Sequence, residues 1–145
     1  MGHEARRAAG APIEVRPVGR VESALADPAD APRQGDEGAP AAWLVLDDAV
    51  WPAAADLAAG DDVLVLTWLD RGDRSALVVH PRSDLTRTPQ GVFSTRSPDR
   101  PNPIGLHRAR VVAVERPRVR VDALEAVDGT PVLDVKPVLG DVDGR

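Results

Sequence analysis

Proline and glycine interrupt this chain so often that only short elements fit between them. There are 14 Pro and 12 Gly in 145 residues, and many of them bound short runs of β-branched and other apolar side chains. Punctuation of this kind suits many short strands joined by turns. Period-2 patterning places strands at 13–21, 42–46, 63–69, 76–80, 91–95, 104–115, 119–124 and 132–136. Eight short strands suit a barrel or a sandwich, and the expected fold is all-β: a small single-domain β-barrel over residues 13–139, with tails at 1–12 and 140–145. The one helical candidate, 53–59, is Ala-rich, follows Trp51-Pro52, stops at Gly60 and is too short to be more than a connector. Residues 26–40 carry no hydrophobic period and are expected to form a long loop, a kind of segment that often carries function.

Two strands hold further information. In 118–123 apolar and charged residues alternate, which marks a half-solvated strand. In 106–114, Arg108 and Arg110 share a face, yet 111–114 is continuously apolar, so a bulge or burial on both faces is expected there.

Composition narrows the chemistry. With no cysteine, thiol catalysis, zinc–thiolate sites and disulfide frameworks are excluded. No apolar run reaches the roughly 20 residues of a bilayer span, and the first ten residues lack a signal-peptide core, so the expected location is the cytoplasm. A formal net charge of -5 argues against a protein that coats nucleic acid indiscriminately. It leaves room for a local basic groove, because Arg96, Arg100, Arg108, Arg110, Arg116, Arg118 and Arg120 share their stretch with only Asp99 and Glu115. The chain holds none of the phosphate-loop, dinucleotide-fingerprint, zincin or nucleophile-elbow motifs. His3, His80 and His107 are widely spaced and set no ligand pattern, so no metal site is expected.

The most informative stretch runs from Gly91 to Leu106. Pro98, Pro101 and Pro103 fix φ and remove donors, so the loop is rigid and delivers Arg96, Arg100 and Asn102 to defined places. A preorganised guanidinium suits a carboxylate or phosphate. The same prolines also fit a plain corner whose arginines are solvated or paired with aspartates. Asp128-Gly129-Thr130-Pro131 reads either as a hairpin turn or as a turn presenting a carboxylate and backbone groups to a ligand. Pro32-Arg33-Gln34-Gly35 lies in the long loop and reads as solvated chain or as a third side of the same site.

The stretch Phe93-Ser94-Thr95-Arg96-Ser97-Pro98-Asp99-Arg100-Pro101-Asn102-Pro103-Ile104-Gly105-Leu106 resembles the signature of the TsaA-like family, also called TrmO. Val18-Gly19-Arg20-Val21 with Pro32-Arg33-Gln34, and the segment from Val127 to Pro137, resemble the family's N- and C-terminal segments. The resemblance covers about residues 13–139. It implies a methyltransferase dependent on S-adenosylmethionine, built on a small β-barrel and acting as a homodimer. The implied acceptor is N6 of threonylcarbamoylated adenine-37 in the anticodon loop of tRNA. By position the resemblance assigns cofactor contacts to Pro32, Arg33, Gln34, Arg96, Leu106, Asp128, Gly129, Thr130 and Pro131. A further cofactor contact, a His-Gln pair in some members, aligns with Leu69 and Asp70, a departure at that corner; Asp70 is also the candidate proton acceptor. Arg100, Asn102 and Arg108 are the candidate acceptor-binding residues. Two rival readings stand beside this one: a barrel methyltransferase acting on a small metabolite, and a catalytically silent cofactor-binding module.

Overall fold

The alternation of small apolar residues with polar ones becomes a wall with one dry face. The computed structural model describes residues 10–26, 38–80 and 84–140. Its strands are β1 Gly19–Glu22, β2 Ala42–Leu46, β3 Asp62–Trp68, β4 Val78–Val79, β5 Gln90–Gly91, β6 Ile104–Glu115, β7 Arg118–Val121 and β8 Pro131–Pro137. Val21, Ala42, Leu44, Leu46, Val63, Val65, Ala109, Val111, Val119, Val121 and Val132 point inward and are buried. Each such Val or Leu removed from water contributes about 1.5–3 kcal/mol, the main force that closes the sheet.

Six strands form that closed wall, in the order β1-β2-β7-β6-β3-β8, with every neighbouring pair antiparallel. Closure comes from Gly19 opposite Val132 and Arg20 opposite Pro131, so the barrel has no free edge to pair with another chain. β4 and β5 stand outside it as a two-stranded ribbon, Val78 opposite Gly91 and Val79 opposite Gln90.

Several expectations shift. The strand expected at 13–21 starts only at Gly19, although Ile13 and Val15 alternate correctly. Val18 makes the first ladder bond, to Val132 O at 2.7 Å, and Pro17 before it has no N–H to extend the pairing, so Ile13 stays 90% exposed. The runs at 76–80 and 91–95 supply only the ribbon and a 3-10 turn, Val92–Ser94. The connector helix lies earlier than 53–59, as a 3-10 helix over Asp48–Ala54; Ala55 donates to Pro52 O, and Gly60 at φ +100° closes the turn that follows. β7 ends at Val121 because the chain then leaves the sheet to bury Leu124 and Ala126. The expected irregularity in β6 is a register shift between Val111 and Ala113 that turns Val112 out to solvent.

Topology decides what meets at the barrel's ends. One end gathers the 47–61 connection, the 116–117 turn and the C-terminal side of β8. The opposite rim gathers the ends of β1, β3 and β7 and the beginnings of β2, β6 and β8.

Candidate functional site

Apart from Arg108, the candidate residues that the structure describes collect around that second rim. Leu69, just past β3, donates its N–H to Pro103 O at 2.7 Å, which ties the end of β3 to the start of β6. Asp70 follows, exposed. Arg96 donates Nη1 to Leu106 O at 3.3 Å; its other donors have no partner among the described residues. Leu106 faces outward, 40% exposed, with Leu66 opposite it, and Ile104 next along β6 lies opposite Trp68. The outer wall below the rim is thus an apolar strip bordered by a guanidinium.

The Asp128-to-Pro131 turn reaches the same rim from another direction. It is no hairpin: β7 neighbours β2 and β6, whereas β8 neighbours β1 and β3. The turn docks on the end of β1 instead. Gly129 donates to Val21 O at 2.7 Å, Val21 donates to Thr130 O at 2.8 Å, and Asp128 Oδ1 accepts from Ser23 N at 3.0 Å. Gly129 sits at φ +84°, a conformation that side-chain-bearing residues seldom hold. Thr130 is buried and donates Oγ1 to Val127 O at 2.7 Å. The second oxygen of Asp128 has no partner among the described residues.

Pro32, Arg33 and Gln34 lie outside the described residues. The connection that carries them departs at Glu22 and returns at Ala42, and both points are on this rim.

The rigid loop is held by its own Arg100 and by Arg74 from the preceding connection. Arg100 donates Nη1 to Thr95 O and Ser97 O, at 2.9 and 2.8 Å, and Nη2 to Val92 O at 3.0 Å. Asn102 Oδ1 accepts from Arg74 Nη2 at 2.9 Å, while Arg74 Nε donates to Pro101 O and its guanidinium covers the Trp68 ring at 5.2 Å. Asp99 Oδ1 accepts from Asp73 N at 2.9 Å. The polar atoms of Arg100 and Asn102 thus hold the loop that presents Arg96. Arg108 lies exposed on the outer face of β6, opposite Leu64. Hydrogen bonds from the Ser75 hydroxyl and amide hold the Asp73 carboxyl below the usual carboxylate range, and Asp62 beside Arg110 raises that guanidinium further.

Three functional-looking residues escaped the sequence-level selection. Thr67 Oγ1 and His107 Nε2 are 2.7 Å apart, and His107 Nδ1 lies 2.5 Å from Glu125 Oε1. All three side chains lie in or against the aliphatic interior. The signal was present for two of them: the alternation that turns Leu106 and Arg108 outward turns His107 inward, and the alternation of β3 that buries Val63 and Val65 turns Thr67 inward. Among the described residues no three His, Asp or Glu side chains gather as a metal site.

Chemically, the rim offers an apolar strip, and, among the described residues, a guanidinium with unpaired donors and a carboxylate with an unpaired oxygen. That set suits a ligand bearing a carboxylate, hydroxyls or an ammonium, and a flat base. Comparison with known proteins agrees. An S-adenosyl-L-methionine-binding protein of Archaeoglobus fulgidus is 36% identical over 129 residues, covering 89% of this chain and 91% of that protein. A mouse tRNA (adenine(37)-N6)-methyltransferase is 50% identical over 68 residues, which are 47% of this chain and 15% of that protein. A crystal structure of TrmO superposes with a TM-score of 0.73 at 27% identity, covering 93% of this chain; the chain spans 59% of that structure's length. With residues 20–144 matching the family model described as the tRNA-methyltransferase O N-terminal domain, the chain belongs to that family.

Proposed function

We propose that this protein is an S-adenosylmethionine-dependent methyltransferase whose acceptor is N6 of adenine-37 in tRNA, the base that carries a threonylcarbamoyl group. The observation that carries the reading is the convergence on one rim of Leu69-Asp70, Arg96 with Leu106, and Asp128-Gly129-Thr130-Pro131, from stretches far apart in the chain. The S-adenosyl-L-methionine-binding relative and the mouse tRNA (adenine(37)-N6)-methyltransferase support the cofactor and the acceptor respectively.

The residues present fit the cofactor. Arg96 has donors for an amino-acid carboxylate, Asp128 an oxygen for a hydroxyl or ammonium, and Leu106 with Ile104 an apolar face for adenine. When bound, S-adenosylmethionine supplies a methyl group on a positively charged sulfur, whose transfer to nitrogen disperses charge and needs chiefly an in-line approach at about 3–3.5 Å. The task of the protein's residues is therefore positioning. Arg100 and Arg74 keep the loop rigid, Asn102 anchors Arg74, and through them Arg96 stays in place. Asp70, exposed at the end of β3, is the group assigned to take the acceptor's proton. Arg108, on the outer face of β6, is assigned to acceptor phosphates, and the protein works as a homodimer in the cytoplasm.

Mass spectrometry of tRNA nucleosides from a deletion strain tests the acceptor. Loss of the methylated, threonylcarbamoylated adenosine is expected, and its persistence refutes the assignment. The net charge of -5 favours one rival, a small-metabolite acceptor. Binding of tRNA should weaken steeply with ionic strength, whereas a small neutral acceptor should be nearly indifferent.

A further inference from the structure

The barrel interior is lined almost throughout by Val, Leu and Ala, which makes one polar chain inside it conspicuous. Thr67 is 0% and His107 4% exposed, and both point inward because the strand period puts residues 67 and 107 on the core face. Glu125 reaches the same place from the 122–130 connection, flanked by the buried Leu124 and Ala126. Its Oε1 bonds His107, while its Oε2 is buried with no hydrogen-bond partner among the described residues. A buried carboxylate held through one oxygen is a poor way to stabilise a core; apolar side chains of equal volume commonly do as well or better. Directional bonds, by contrast, fix how two segments sit against each other.

Space for this chain is made by a missing side chain. A Cβ at Gly105 would lie 2.7 Å from His107 Nε2 and 3.2 Å from Leu69 Cδ1, and it would collide with Thr67 Oγ1. The glycine thus lets Thr67 and His107 meet, with Leu69 packed over the same spot. Gly105 and His107 are also the two neighbours of Leu106, whose carbonyl accepts from Arg96. Glu125 lies three residues before Asp128, a span of at most about 10 Å. One run of hydrogen bonds therefore links the end of β3, the start of β6 and the segment leading into the Asp128 turn.

We propose that Thr67, His107 and Glu125 form a buried positioning relay that holds the Asp128-to-Pro131 turn in register with Leu69 and Leu106, and that cofactor binding at the rim depends on it. The proposal rests on the cofactor reading above. None of the three touches the ligand: His107 orients Glu125, Glu125 holds the connection, and the connection places Asp128.

The test is S-adenosylmethionine binding to the full chain by titration calorimetry, beside thermal melting. Wild type is expected to bind. Glu125→Gln keeps the size of the side chain but removes the charge that orients the imidazole, and is expected to bind about tenfold more weakly, with a smaller loss for Thr67→Val. Val119→Ala, a core truncation on β7, is expected to lower Tm more than Glu125→Gln does while keeping the wild-type Kd. A folded Glu125→Gln with unchanged Kd overturns the relay. If the relay variants do not fold, wild-type protein decides alone: two-bond proton–nitrogen correlation spectra of the His107 ring are expected to shift on addition of S-adenosylmethionine, and unchanged resonances overturn the proposal. A wild type that binds no S-adenosylmethionine removes the cofactor reading and the relay together, a result distinct from tight binding that ignores Glu125.

Discussion

Two segments bring site residues to the same rim by opposite means. The 92–103 loop is stiffened mostly from within: its prolines restrict the backbone and Arg100 closes its turns by donating to Thr95 O, Ser97 O and Val92 O near the surface, with Arg74 of the preceding connection tying Pro101 O from outside. The 122–130 connection has few such local constraints. It is anchored by what it buries, Leu124 at 0% and Ala126 at 3% exposure, by the Glu125–His107 bond, and by backbone bonds to Leu25, Val21 and Pro40. The first segment carries its shape in its own composition. The second has a shape only where the barrel exists to receive it.

That contrast can be broken from its buried side first. Leu124→Ala leaves a cavity under the connection and is expected to cost about 2–5 kcal/mol in urea denaturation, together with a loss of S-adenosylmethionine binding by calorimetry. Full cofactor affinity in a destabilised but folded variant would show that the connection does not govern the rim. Next comes Arg100→Ala, which takes the guanidinium donors from Thr95 O and Ser97 O and one of three donors from Val92 O, which keeps Thr95 N and Oγ1; the expected loss is about 2 kcal/mol, and Arg100→Lys is expected to recover little because an ammonium cannot reach all three carbonyls from one plane. The smallest effect concerns Asp73, whose carboxyl is held below its ordinary value of 3.8 by the Ser75 hydroxyl and amide. A depressed folded pKa means the stabilisation is present above the ordinary value and fades as pH falls through the folded one. The Tm gap between wild type and Asp73→Asn is therefore expected to be small at neutral pH and to close in acid; a gap that widens in acid would contradict the assigned cause.

Legibility followed the same division. β2, β3, β6 and β8 lie within one or two residues of where alternation places them, because burial of one face is written directly into a period of two. Residues 13–18 alternate as well but find no partner past Pro17, and 76–80 and 91–95 find only each other, over two residue pairs. Alternation reports a face that wants burying, not whether another strand is there to bury it. The rim followed suit: Arg96, Leu106 and the Asp128 turn stand out as motifs, whereas Thr67 and His107 show only an inward position in their strands, Glu125 has no local signal, and the three acquire meaning only together.

What the amino-acid order determined alone is local: which residues alternate, where proline and glycine stop a strand, and that the 92–103 loop is stiff. These depend on φ restriction and side-chain period, which act over a few residues. Which strands close the barrel, that the Asp-Gly turn docks on β1 rather than forming a hairpin, and that residues 67, 107 and 125 share one hydrogen-bonded chain were decided by tertiary structure. Those outcomes depend on strand register and on burial against distant partners, and a hydrogen bond between residues far apart in the chain has no energy until the core brings them together.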